Sequence, residues 1–181
     1  IGPRPELKPW REFLAHMQNA KDTVRIGLVG KYVELQDAYK SINEALFQAA
    51  TYNNRKLDLQ YIHSEKLTES NVEEKLSSMD GLIIAPGFGQ RGVEGKFVAL
   101  KYAREHDVPT FGICLGMQCM VIEYARDVLG YKDANSTEMD VNTPHNVIDL
   151  MESQKCISNM GGTMRLGEYD CILQEGSKAE Q

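Results

Sequence analysis

The sequence has few cysteines, a single tryptophan and no long apolar run, and these shortages exclude several classes of protein. No stretch approaches the roughly 18 consecutive apolar residues of a membrane-spanning helix, so no membrane partner is expected. Nothing near the start reads as a secretory signal. Cys114, Cys119, Cys156 and Cys171 lack paired spacing, which argues for a reducing, cytoplasmic setting rather than a disulfide framework. No Cys/His group has zinc-ligand spacing, so no metal site is expected. Basic residues number 20 against 26 acidic ones, the net charge is −6, and no basic stripe is visible. Nucleic acid is therefore not an expected partner.

The remaining composition is ordinary for a globular chain: 42% hydrophobic and 25% charged over 181 residues. Three of the six prolines fall in the opening "IGPRPELKPW". That reads as an extended linker running into a short helix begun by Pro9. The expected organisation is a linker with a short helix over 1–20 and one domain over 21–181, cut from something longer. "TVRIGLVG" (23–30), "LDLQYIHS" (57–64), "GLIIAP" (81–86) and "VPTFGIC" (108–114) read as strands. Helical spacing recurs over 37–53, 71–78, 94–106 and 115–129, with Phe97, Leu100 and Ala103 facing inward in the third. Strand and helix alternate, which predicts an α/β fold, flavodoxin-like or Rossmann-type, with a parallel sheet covered on both faces. Ligands in such folds bind beyond the carboxyl ends of the strands. After residue 130 the pattern weakens. "DANSTEMDVNTPHN" reads as a polar loop, "NVIDLM" as a candidate strand, and "NMGGTMRLGEYDCIL" (159–173) alternates as antiparallel strands would.

The chemistry concentrates in "FGICLGMQ" (111–118). Gly112-Ile113-Cys114-Leu115-Gly116 has the spacing of a nucleophile elbow, with cysteine in place of serine. A sharp strand-to-helix turn packs the residues at −2 and +2 closely, which glycine permits. The following helix start offers a positive end that favours thiolates, and backbone donors for an oxyanion. The same pattern also fits a buried structural cysteine, and the five residues alone leave both readings open. Cys119, Cys156 and Cys171 read as structural. A second loop, Pro86-Gly87-Phe88-Gly89, also lies between a strand and a helix and fits neither nucleotide-loop pattern.

Taken together, "GICLGMQ", "GKYVELQDAYKSI", "PGFGQRGVEGK", "DANSTE" and "GGTMRLG" resemble the class I glutamine amidotransferases, and within them the CTP synthase family. The resemblance runs from about residue 24 to about residue 173. It implies a class I amidotransferase fold, incomplete at its C-terminal end. It implies hydrolysis of L-glutamine through a thioester on Cys114. The backbones of Gly87 and Leu115 would form the oxyanion hole. Gln118 and Glu138 would hold the polar end of glutamine. Gly161, Gly162, Thr163 and Arg165 would belong to a lid, and Lys31 and Arg91 would lie near a GTP effector. The ammonia would pass to an N-terminal synthetase half, absent here, that uses ATP and Mg²⁺ to aminate UTP to CTP. That half would also build a homotetramer. This chain would hold no cofactor of its own. Gln118 follows Cys114 by four residues, which independently places it on the same side of a helix.

The sequence departs from the family in two ways. The glycine loop has one glycine fewer than the usual Pro-Gly-Gly-Phe-Gly. The His-Pro-Glu base and an Arg-rich motif before it are missing. Of the four histidines, His16 and His106 read as surface and His63 as structural. His145 is the only one after Cys114. The expectation is a nucleophile without its base, weakly active at most. Two alternatives stand beside it: a non-catalytic binding or oligomer-contact module, or another cysteine hydrolase with His145 as base.

Overall fold

The computed structural model describes residues 5–151, 170–178 and 180. Its strands are β1 (Asp22–Gly30), β2 (Arg55–His63), β3 (Gly81–Ile84) and β4 (Thr110–Gly112), all parallel, in the order β2-β1-β3-β4. Alternating with them are α1 (Lys8–Asn19), α2 (Lys40–Tyr52), α3 (Val72–Leu76), α4 (Val93–Glu105) and α5 (Leu115–Asp127). The chain divides into two units, 1–148 and 149–181, and the sheet with its helices lies in the first.

The sheet is parallel because each connection carries a helix, and its two central strands, β1 and β3, are apolar on both faces at their carboxyl ends. Leu28 and Val29, adjacent in β1, are both fully buried and point to opposite faces. Leu28 packs with Tyr39 and Ala85, and with Ile42 of α2. Val29 packs with Ile62 and Ile84, and with Leu76 of α3, Phe97 and Leu100 of α4, and Leu115 and Ile122 of α5. The inward positions expected in the third helix, Phe97, Leu100 and Ala103, are buried, and so are Val93, Lys96, Ala99 and Tyr102. Pro sits in the first turn of α1, as expected from Pro9. Phe13 of that helix meets Phe47 of α2 edge-on, with ring centroids 6.2 Å apart.

The register places the functional loops. Gly30 pairs with His63, Val29 with Ile84, and Ile84 with Gly112, so all four strands end along one edge. The chain leaves β1 for β2 and returns to β3 on the other side. That reversal opens a crevice between the ends of β1 and β3. Lys31 follows β1 there, and Ala85 to Gly89 follow β3.

Several boundaries differ from expectation. The helix expected from Asp37 opens with a 3₁₀ turn, Gln36–Tyr39. The fourth strand is only three residues long, because the chain turns at Cys114. The polar stretch after residue 130 is not wholly loop. A short β5 (Asn135–Ser136) pairs in parallel with β6 (Asn146–Ile148), within the expected "NVIDLM" strand. Arg126 anchors the approach to β5, donating to the Ala134 carbonyl at 2.6 Å. In the second unit, residues 170–173 form no strand, and Cys171 is exposed rather than structural. Cys156 and the remainder of 152–169 lie outside the described residues.

Candidate functional site

The turn at Cys114 is built by contacts that only glycine permits. The Ile113 N–H donates to the Ile84 carbonyl at 3.0 Å, extending the sheet pairing one residue past β4. The backbone then breaks sharply, with Cys114 at φ 53° and ψ −111°. A residue with a Cβ pays of order 1–3 kcal/mol for such a conformation. A Cβ on Gly112 would sit 2.6 Å from the Gly116 carbonyl carbon and the Met117 nitrogen. A Cβ on Gly116 would sit 2.1 Å from the Ile84 oxygen. The glycines at −2 and +2 thus let α5 start directly against β3. Cys114 caps that helix with its carbonyl, which accepts from Gln118 N–H at 3.1 Å, and the residue itself is exposed. Cys119 is fully buried, and burial pushes its thiol up to about 11. The two neighbouring cysteines therefore stand in opposite environments.

The glycine loop lies against this turn. Gly87 has φ 158°, and a Cβ there would lie 3.7 Å from Leu115 Cδ2 and 3.3 Å from Lys31 Cε. Gly87 and Leu115, paired on the resemblance as oxyanion donors, are thus neighbours. Neither N–H is given to an acceptor among the described residues. Behind the loop, Lys31 donates from Nζ to the Phe88 carbonyl, and Lys96 donates to the Ala85 carbonyl at 2.6 Å. In front of it, Gly89 N–H donates to Glu138 Oε1 at 3.3 Å, and Gln90 Nε2 donates to the Met139 carbonyl. The turn after β5 is therefore docked onto the glycine loop, which brings Glu138 to the site from far along the chain.

Gln118 is half-buried, and its Oε1 is buried with no partner among the described residues. It is an acceptor one helical turn from the thiol. Lys31 and Arg91 both approach the ring of Tyr32, at 5.4 and 5.3 Å from its centroid, and Arg91 also pairs with Glu65. Gly161, Gly162, Thr163 and Arg165 lie outside the described residues. The histidines have other partners. His16 bonds Asn54, His63 Nδ1 accepts from Glu65 N–H, and His106 stacks on Tyr102. His145 bonds Asp133 through Nδ1 at 2.6 Å and leans on Tyr131. Among the described residues no group of three or more His, Cys, Asp or Glu is placed to hold a metal ion. No helix there is long and apolar enough to cross a membrane.

Lys96 is the residue that sequence reasoning missed. It lies four residues before Leu100 and seven before Ala103, on the face predicted to be inward, so the helical spacing did carry the signal. Its charge masks that signal, because lysine is almost never fully buried.

An exposed thiol on a strained turn, with the unengaged Leu115 N–H next to it in the chain, the Gly87 loop against Leu115 and an unpartnered acceptor one turn away, has the parts needed to attack a carbonyl carbon and hold an oxyanion. Comparison with known proteins agrees with this chemistry. The chain is 67% identical over 178 residues to a CTP synthase of Porphyromonas gingivalis, covering 98% of this chain and 33% of that protein. It is 66% identical over 178 residues to a CTP synthase of Bacteroides fragilis, with the same coverage. It therefore spans about a third of the length of the curated relatives it matches. A solved structure, the glutaminase domain of Trypanosoma brucei CTPS with bound acivicin, is 39% identical with a TM-score of 0.68, covering 72% of this chain and 51% of that one. The glutamine amidotransferase class-I profile matches residues 34–181, most of the sequence, and the chain belongs to that family.

Proposed function

We propose that the chain is the glutamine-hydrolysing part of a CTP synthase. The observation that carries this is the exposed Cys114 on its strained turn, beside the unengaged N–H groups of Gly87 and Leu115. The Sγ attacks the carboxamide carbon of the L-glutamine side chain. The carbonyl oxygen becomes an oxyanion and takes hydrogen bonds from Gly87 and Leu115 N–H. Collapse breaks the C–N bond, the nitrogen leaves as ammonia with the proton that the Cys114 thiol gave up, and a γ-glutamyl thioester remains on Cys114. Water then cleaves the thioester, releasing glutamate and the thiol. Gln118 and Glu138 hold the polar end of the substrate, and the unpartnered Gln118 Oε1 suits the α-ammonium group as donor.

The ammonia passes to a synthetase partner domain, joined through the linker at 1–20, where ATP-activated UTP is aminated to CTP. ATP and Mg²⁺ belong to that partner. GTP acts as effector at a site near Lys31 and Arg91, whose cations both approach the Tyr32 ring. The whole enzyme works in the cytoplasm as a homotetramer. The present sequence contains no His-Pro-Glu triad, and lost general acid–base help typically costs about 10²–10⁴ in rate. The chain alone therefore releases ammonia from glutamine slowly. Cys114→Ser abolishes that release. Ammonia release that survives in Cys114→Ser overturns the reading.

A further inference from the structure

Two lysines are buried at the foot of the glycine loop, Lys96 at 1% exposure and Lys31 at 6%. They come from different parts of the fold, Lys96 from α4 and Lys31 from the residue just after β1. Each directs its ammonium to one carbonyl of the loop, Lys96 to Ala85 and Lys31 to Phe88. These carbonyls bracket Pro86 and Gly87. The other groups of the flanking peptides are fixed as well. Ala85 N–H donates to the Val29 carbonyl at 2.9 Å, and Gly89 N–H donates to Glu138 Oε1 at 3.3 Å. Within the bracket, the N–H groups of Gly87 and Phe88 have no acceptor among the described residues, and Gly87 is the one whose Cα lies against Leu115.

We propose that Lys31 and Lys96 are a positioning pair that clamps the Ala85–Phe88 carbonyls and so holds the Gly87 N–H beside Leu115 for an oxyanion formed at Cys114. An apolar side chain would fill the Lys96 site without desolvating a charge. Two like charges placed together are costlier still. Burial lowers the proton affinity of Lys96. Cys119 and Cys114 oppose that fall, and the cation of Lys31 adds to it. The arrangement suits a site that must stabilise negative charge, because both cations lie beneath the place where a thiolate and then an oxyanion develop. The clamp itself stands on the loop geometry. Its catalytic consequence rests on the glutaminase reading.

The test uses the full chain and its Lys96→Met and Lys31→Met variants, with two readouts. In the first, ¹⁵N order parameters of Gly87 to Gly89 fall from a rigid value of about 0.85 to below about 0.6 in both variants, while those of α5 hold. In the second, labelling of Cys114 is followed with a glutamine-mimicking diazo-ketone and with iodoacetamide, each on its high-pH plateau. The glutamine mimic needs the oxyanion donors and slows by about 10²-fold or more. Iodoacetamide needs only the thiolate and keeps its rate. Unchanged order parameters in both variants, or equal slowing of the two reagents, overturns the proposal. Outright unfolding of Lys96→Met also overturns it, by marking Lys96 as core packing. If the unsubstituted chain does not react with the mimic, the glutaminase reading fails, and the order parameters still judge the clamp.

Discussion

Cys114 and Cys119 are five residues apart and differ in almost every property that governs a thiol. Cys114 is exposed at the start of α5, whereas Cys119 is fully buried in the core between α4 and α5. Alkylation of the native chain followed by mass mapping should modify Cys114 and leave Cys119 untouched. Burial raises the Cys119 thiol from 9.0 to about 11, so the folded chain holds that proton more tightly than the unfolded one. The resulting stabilisation is complete below pH 9 and is lost as pH rises through 11. Cys119→Ala should remove this part of the alkaline loss, on the order of 2 kcal/mol, which urea melts at the two ends of that window would show. Gly116 is the most demanding position at this scale. Its missing Cβ would lie 2.1 Å from the Ile84 oxygen, so Gly116→Ala must push α5 off β3. Overpacking of that kind costs about 1–3 kcal/mol, and the displaced turn should also lose selective labelling of Cys114 by a glutamine mimic.

At the scale of elements, α4 and α5 are joined by a forked ion pair across their faces. Arg104 donates from Nη2 at 2.8 Å and from Nε at 3.1 Å to Glu123 Oε1, and the Glu123 side chain is 4% exposed. Glu123 in turn holds the Arg104 guanidinium above its ordinary pKa through the hydrogen bond. Arg104→Ala leaves a buried carboxylate unpaired and should cost about 1–3 kcal/mol. Arg104→Lys should recover only part of that, because an ammonium cannot form the fork. Urea midpoints at fixed slope check both. The strands and helices around this pair were legible in the sequence, because a buried parallel sheet writes short apolar runs and its helices write 3.6-residue spacing. β5 was not legible. Asn135 and Ser136 are polar, and their strand exists through pairing with β6 and through Arg126 on the Ala134 carbonyl. Lys96 was hidden for the opposite reason: its spacing pointed inward while its charge pointed outward. The turn of the elbow was legible because its glycines are fixed by steric contact, while the five residues alone left the nucleophile and buried-cysteine readings both open. The neighbourhood of Glu138 was legible only through family resemblance, since no local rule ties residue 138 to residue 89.

At the scale of the whole molecule, the strand ends bring Lys31, the glycine loop and Cys114 to one edge of the sheet, and the turn after β5 adds Glu138. That convergence, rather than any one motif, is the reason to expect a formed glutamine pocket in a chain that contains no His-Pro-Glu triad. It predicts that substrate recognition and nucleophilicity survive even where turnover is slow. The most direct test is to treat the chain with a diazo-ketone glutamine analogue, with and without L-glutamine, and to locate the adduct by mass spectrometry. The account predicts one adduct per chain, on Cys114, suppressed by glutamine and absent in Cys114→Ser. A folded chain that takes no adduct, or one labelled at Cys114 and Cys171 alike with no protection by glutamine, would contradict it.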